Sequence, residues 1–290
     1  MGTLLRIQVR GAASQETLDE VKCRMAQAIQ RLEELLSLYR DHSEISHINS
    51  AAGDHPVCVS PETRQVVEVA LRFAHLTDRA CDPTIYPLVR LWEVYRSEGR
   101  IPDDRARDLA LERVGFERVE VDAVRGTIFL KEKGMGLDLG WIGKGFALDR
   151  ALEVAQAQPD IVNVMLDFGG QLLFWDRYKP HPQCIVMDVP GFSPHQLPQF
   201  LLRDNASVST TSCSERGCHV LDPRVGTPPS AALSVSVVAP TATTADALST
   251  ALFVLGPDDG AACLKRISGV RAYVIPRTSS ARANPLVFTH

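Results

Sequence analysis

Leu5, Ile7 and Val9 alternate with Arg6, Gln8 and Arg10, which predicts a half-buried strand at the start of the chain. Thr17 with Glu20 reads as a capping box. The helix after it carries Val21, Met25, Ile29, Leu32 and Leu36 on one face and runs to about Tyr39. A short helix is expected over 43–49, ended by Ala51-Ala52-Gly53. Ser60-Pro61-Glu62 supplies a capping serine, a proline at the first position and an acid in the first turn. The helix it opens continues through Val66, Val69, Ala70, Phe73 and Leu76.

Residues 79–89 hold two prolines and read as a constrained loop leading into Leu91 and Trp92. Pro102 opens a helix to about Gly115. Two strand-like runs, 118–122 and 127–131, flank a turn at 123–126. Further strands are expected at 161–166, 183–189, 232–238, 270–275 and 286–288, with Leu233, Val235 and Val237 on one face. Short extended pieces fall at 206–209 and 218–221, and the proline-rich 190–198 reads as a surface excursion. Helices are expected at 242–255, ended by Gly256, and at 257–267. Helices and strands mix without strict alternation, which predicts an α+β fold of mixed sheets and packed helices. No linker divides the chain, so a single domain over 1–290 is expected.

Composition narrows the function classes. A net charge of −4 over 290 residues argues against nucleic acid as a main partner, since phosphate binding needs a basic face. No apolar run approaches the ~20 residues of a membrane span. The seven cysteines are scattered and contain no Cys-x-x-Cys, which fits reduced thiols better than a disulfide framework or a zinc site. Met1 is followed almost at once by the first strand rather than by a secretory leader, the pattern of a chain that works in the cytoplasm or whose leader lies outside this sequence.

The least generic stretch is 134–150, Gly-Met-Gly-Leu-Asp-Leu-Gly-Trp-Ile-Gly-Lys-Gly-Phe-Ala-Leu-Asp-Arg. Glycines crowded at a helix entrance bring backbone N–H groups close to an anion, with the helix dipole adding to the field; they equally suit a tight turn and close packing. Two stock templates fail. The P-loop needs Ser or Thr after its lysine, and Lys144 is followed by Gly145. Leu139 stands where the dinucleotide fingerprint needs its third glycine. Elsewhere, Asp246 and Thr250 are four apart on a helix and face the same way. A carboxylate with a hydroxyl suits magnesium, and an acid there also complements the helix dipole. His219, beside the Asp222-Pro223 turn, is either structural or a base titrating near neutrality.

Taken together these pieces resemble the FAD:protein FMN transferases, the ApbE-type flavin transferase family, and in the same order. Met1-Gly2-Thr3, Leu36-Ser37-Leu38-Tyr39 with 43–49, Ala80-Cys81-Asp82-Pro83-Thr84 with Pro87-Leu88-Val89 and Leu91-Trp92, the 134–150 stretch, 166–170, 219–228 and Ala245-Asp246-Ala247-Leu248-Ser249-Thr250 all resemble family motifs. The resemblance implies that family's flavin transferase fold and an FAD site lined by Met1, Tyr39, Ala80, Cys81, Asp82, Lys144, Arg150 and His219. It implies magnesium on the Ala147 carbonyl, Asp246 and Thr250, with Ser249 adjacent. The activity it implies is transfer of FMN from FAD to a Thr or Ser hydroxyl of an acceptor flavoprotein, releasing AMP. His219 would take the hydroxyl proton and Lys144 would act beside it. FAD hydrolysis to FMN and AMP, or a non-catalytic FAD carrier, are the alternatives. Family members are often exported lipoproteins.

The sequence departs from the family pattern at Trp141 and Cys213, where glycines are usual, at Val225, where threonine is usual, and at Arg79, where glycine is frequent.

Overall fold

In chain order the elements are β1 (Leu5–Gly11), α1 (Gln15–Leu36), α2 (Glu44–Ser50), β2 (Val57–Cys58), α3 (Pro61–Leu76), α4 (Tyr86–Ser97), α5 (Asp104–Leu111), β3 (Val119–Asp122), β4 (Thr127–Leu130) and α6 (Gly143–Gln156). They continue with β5 (Ile161–Phe168), β6 (Gln171–Asp176), β7 (Gln183–Val186), β8 (Gln199–Leu202), β9 (Ala206–Ser212), β10 (Ala232–Ala239), α7 (Ala242–Leu264), β11 (Arg271–Pro276) and β12 (Leu286–Thr289). The computed structural model describes residues 3–178, 183–186, 199–202, 205–212, 220–277 and 286–289. The expected excursion at 190–198 lies outside them. The class is α+β, as the patterning predicts.

The residues form two compact units. One comprises Met1–Arg31, Lys144–Cys218 and Ser230–His290; the other comprises Leu32–Gly143 and His219–Pro229.

The first unit is built on a seven-stranded antiparallel sheet in the order β1-β5-β6-β9-β10-β11-β12. Alternation in β1 pairs Ile7 with Leu166 and Val9 with Val164 of β5. Strand β6 was not anticipated. It follows β5 through Gly169 and Gly170, whose φ angles of 62° and 87° are those a two-residue hairpin turn requires. Helix α7 lies against β9 and β10, burying Leu248, Leu252 and Phe253. Residues 242–264 run as two helices joined at a kink: Gly256 (φ 75°) is non-helical and ends the first, as the pattern predicts, and Pro257 stands at the start of the second. Leu233 leaves the face expected for it. It packs with Val208 and Val238 in a cluster that does not include Val235 or Val237, next to a register irregularity at Ala232/Ser234. A bulge of this kind reverses which side the following residues face.

The second unit holds α2–α5 and the three-stranded sheet β2-β4-β3. Ser60 caps α3 as expected, its hydroxyl accepting from the Thr63 N–H at 3.3 Å. At α1 the expected capping box is displaced: the Thr17 N–H donates to Ser14 Oγ at 3.2 Å, so the helix starts earlier. Helix α4 likewise begins inside the expected 79–89 loop, because Pro87 sits in its first turn, where a missing N–H costs nothing. Trp92 anchors α4 by donating Nε1–H to the Gly226 carbonyl at 2.8 Å. Among the described residues no helix is long and apolar enough to cross a membrane.

Within the first unit α6 and α7 touch at Gly145. A Cβ there would stand 2.2 Å from the Ala242 carbonyl oxygen and 2.8 Å from Asp246 Cβ. No rotamer change relieves a clash with backbone, so Gly145→Ala is expected to destabilise the fold by at least the upper part of the ~1–3 kcal/mol typical of overpacking. Chemical denaturation checks this; an unchanged midpoint contradicts the packing described.

Candidate active site

Asp246 is 2% exposed, in the second turn of α7. One carboxylate oxygen, Oδ2, accepts the Gly145 N–H at 2.9 Å. The other, Oδ1, accepts from Lys144 Nζ at 2.9 Å and from Ser209 Oγ at 3.3 Å. The anion held at the entrance of α6 is therefore the chain's own Asp246. Gly145 is there for contact with α7, which explains why the P-loop pattern fails at that position.

The relation is reciprocal. Asp149, in α6, accepts from the N–H groups of Ala242 and Thr243 at 2.8 and 2.9 Å and from the Thr243 hydroxyl at 2.5 Å. Thr241 caps the next position, taking the Thr244 N–H at 3.2 Å. Burial pushes the Asp149 carboxyl up, and the Thr243 and Ala242 donors and Arg150 pull it partly back. Each helix thus offers a carboxylate to the free N–H groups of the other.

A chain of hydroxyls leads away from the Asp246 carboxylate, beginning at Ser209. Ser249 Oγ donates to the Asp246 carbonyl at 2.9 Å and lies 3.2 Å from Ser209 Oγ. Thr211 Oγ1 is 2.9 Å from Ser249 Oγ and 3.3 Å from Thr250 Oγ1. Ser209 and Thr211 come from one side of β9, where residues two apart share a face. Ala147 is fully buried in α6. The structure thus sets Lys144 and Ser249 against Asp246 and links Thr250 to them through Thr211, and it adds Ser209 and Thr211, which the sequence reading does not single out. The sequence signal for them was the alternation Ser207, Ser209, Thr211 within 206–212.

Among the described residues no group of three or more His, Cys, Asp or Glu side chains could hold a metal ion. The donors around Asp246 are oxygen only with a single carboxylate. That fits a hard cation that keeps several waters and takes few protein ligands, as magnesium does.

Arg150 lies over the Phe146 ring, 4.9 Å from its centroid, and pairs with Glu153 at 2.9 Å. Its Nε is buried without a hydrogen-bond partner among the described residues.

In the second unit Ala80, Cys81 and Asp82 are all buried. Asp82 Oδ1 accepts the Thr84 N–H at 2.8 Å and the Thr84 hydroxyl at 2.6 Å, and Oδ2 accepts the Phe116 N–H at 3.3 Å. Burial raises the Asp82 carboxyl; the Thr84 and Phe116 donors and then Arg79 act against it. Asp82 thus ties its loop to residues 115–116 rather than presenting a charge to solvent. Arg79 and the preceding Asp78 have φ of 65° and 50°, the left-handed region where glycine costs least. Gly136 packs on Tyr86, and the Asp138 N–H donates to the Pro83 carbonyl at 2.8 Å, so residues 136–138 brace the same loop. Tyr39 stands 86% exposed, an aromatic ring without cover in its own unit. Met1, Cys213, Cys218 and His219 lie outside the described residues.

A sequence model of the ApbE family matches residues 1–274. The chain is 32% identical to an FAD:protein FMN transferase of Treponema pallidum, over 98% of this chain and 84% of that one. It is also 32% identical to one of Klebsiella pneumoniae, over 88% and 81%. The fold is similar to that of an ApbE protein from Thermotoga maritima, with a TM-score of 0.86 and 26% identity over 99% of this chain and 94% of that one. It is similar as well to the flavin transferase ApbE from Vibrio cholerae, with a TM-score of 0.81, 26% identity and the same coverage. A family model matched over residues 1–274 and relatives at 32% identity along most of the chain place it: the chain belongs to the ApbE family.

Proposed function

We propose that this chain transfers the FMN part of FAD to a threonine or serine hydroxyl of an acceptor flavoprotein and releases AMP. The observation that carries the reading is the buried Asp246 carboxylate, held by Lys144 and the Ser209 hydroxyl, with the hydroxyls of Ser249, Thr211 and Thr250 linked on beyond it. A site of this kind suits a reaction whose substrate brings a pyrophosphate and whose transition state spreads negative charge over phosphoryl oxygens. The names of the Treponema and Klebsiella relatives support flavin transfer to a protein.

Asp246, Thr250 and the Ala147 carbonyl, with Ser249 adjacent, are the residues that would hold magnesium. Bound there, the ion would neutralise charge on the FAD phosphates. Lys144 adds a second cation at the same cluster. In the transfer the acceptor oxygen bonds to the FMN phosphorus, the bond from that phosphorus to the AMP oxygen breaks, and the hydroxyl proton passes to a base. His219 is assigned that proton on the strength of its motif. Tyr39 offers an exposed ring for the flavin, and Arg150 a guanidinium with an unpartnered N–H. The loop at Ala80, Cys81 and Asp82 and the residue Met1 complete the proposed FAD contacts.

Incubation with FAD, magnesium chloride and a candidate acceptor tests the reading. Flavin fluorescence that stays on the acceptor band through a denaturing gel, with AMP formed in step, is the expected result. Free FMN with AMP would mean hydrolysis, and unchanged FAD would mean a carrier; both contradict transfer.

Asp246→Asn keeps the shape and an acceptor for the Gly145 N–H but removes the charge. AMP release, read by chromatography, is expected to fall by about 10²–10³-fold, the scale of losing one preorganised electrostatic contact. Unchanged turnover in a folded variant removes Asp246 from the site. His219→Ala is expected to slow transfer by ~10²-fold or more while FAD affinity stays close to that of the parent. Full activity would dismiss it as the base.

A further inference from the structure

We propose that Lys144 is the resident cation of the Asp246 carboxylate, and that a divalent ion enters by exchange with its ammonium, so that Lys144 sets how tightly the chain holds metal. This rests on the magnesium assignment above.

A carboxylate as buried as Asp246 needs compensating charge whether or not a metal is bound. Lys144 supplies it at 2.9 Å, and the two oxygens of the carboxylate are held differently. Oδ2 is on the backbone N–H of Gly145, a donor that cannot leave unless α6 moves away from α7. Oδ1 is on the end of a flexible four-carbon side chain. The Lys144 side chain is 33% exposed against 3% for Asp246, so the ammonium has a route to solvent that the carboxylate lacks.

A divalent ion bonded to Oδ1 would stand within a few ångströms of the ammonium on the same oxygen, and like charges that close in a buried site repel strongly. The ammonium therefore yields its place. The hydroxyls of Ser209, Ser249, Thr211 and Thr250, linked to one another from Oδ1 onward, are neutral, so they add oxygen beside the exchanged position without adding charge. Two consequences follow. Without metal the carboxylate is never left uncompensated, and with metal the freed ammonium is available to the phosphate oxygens of the substrate.

Reductive methylation read by mass spectrometry tests the exchange on the unaltered protein. Adding magnesium chloride is expected to raise labelling of Lys144 several-fold while exposed Lys131 is unaffected. In Lys144→Met, magnesium or manganese is expected to bind at least about tenfold more tightly by titration calorimetry, because nothing has to be displaced. The same variant should melt lower without metal and regain stability with it. Unchanged Lys144 labelling at saturating magnesium overturns the exchange, whether or not the variant folds. Equal or weaker metal affinity in a folded Lys144→Met overturns it too. If neither the parent nor the variant binds magnesium, the magnesium assignment itself falls.

Discussion

Two helices in the first unit each lack something that the other supplies. The N-terminus of a helix leaves N–H groups without intrahelical acceptors and carries partial positive charge, while a buried carboxylate needs donors. Asp149 of α6 meets the first N–H groups of α7, and Asp246 of α7 meets the Gly145 N–H of α6. The exchange works only at a separation that leaves no room for a side chain at Gly145. That close approach is the constraint on which the neighbouring geometry depends. It brings α7 onto β9 in the register that sets Ser209 and Thr211 against Asp246, Ser249 and Thr250.

The same contact divides the labour of one carboxylate. Oδ2 is committed to the fold through a backbone donor, and Oδ1 faces a side-chain cation and a hydroxyl. A substitution at Asp246 therefore touches both stability and chemistry, whereas one at Lys144 touches mainly the cation. The hydroxyls add oxygen without adding charge, so the cluster remains a one-carboxylate site. One carboxylate with neutral oxygens is the donor set that suits a hard cation which keeps most of its waters.

Local signals were legible where the structure is local. The alternation of Leu5, Ile7 and Val9, the Ser60-Pro61 start of α3 and the four-residue spacing of Asp246 and Thr250 all stand as the pattern implies. Errors arose where a residue has two uses. Proline in 79–89 signals a loop, yet Pro87 lies in the first turn of α4. Gly169-Gly170 ends β5, and the pattern does not show that the pair turns straight into β6. The alternation of Ser207, Ser209 and Thr211 marks one polar strand face but not a site, because the partners lie almost forty residues on, brought to them by the pairing of β9 with β10 and the seating of α7. The glycines of 134–150 were legible as a place of close approach but not as to what approaches. Gly136 receives Tyr86, and Gly145 receives Ala242 and Asp246.

The account turns on Asp246 as the one charged ligand of a divalent ion. The most direct measurement is a crystal grown with manganese in place of magnesium and examined by anomalous scattering. The account predicts a single strong peak at metal–oxygen bonding distance, ~2.0–2.2 Å, from Asp246 with Thr250 beside it. A peak at some other group of residues, with Lys144 still paired to Asp246, would contradict it.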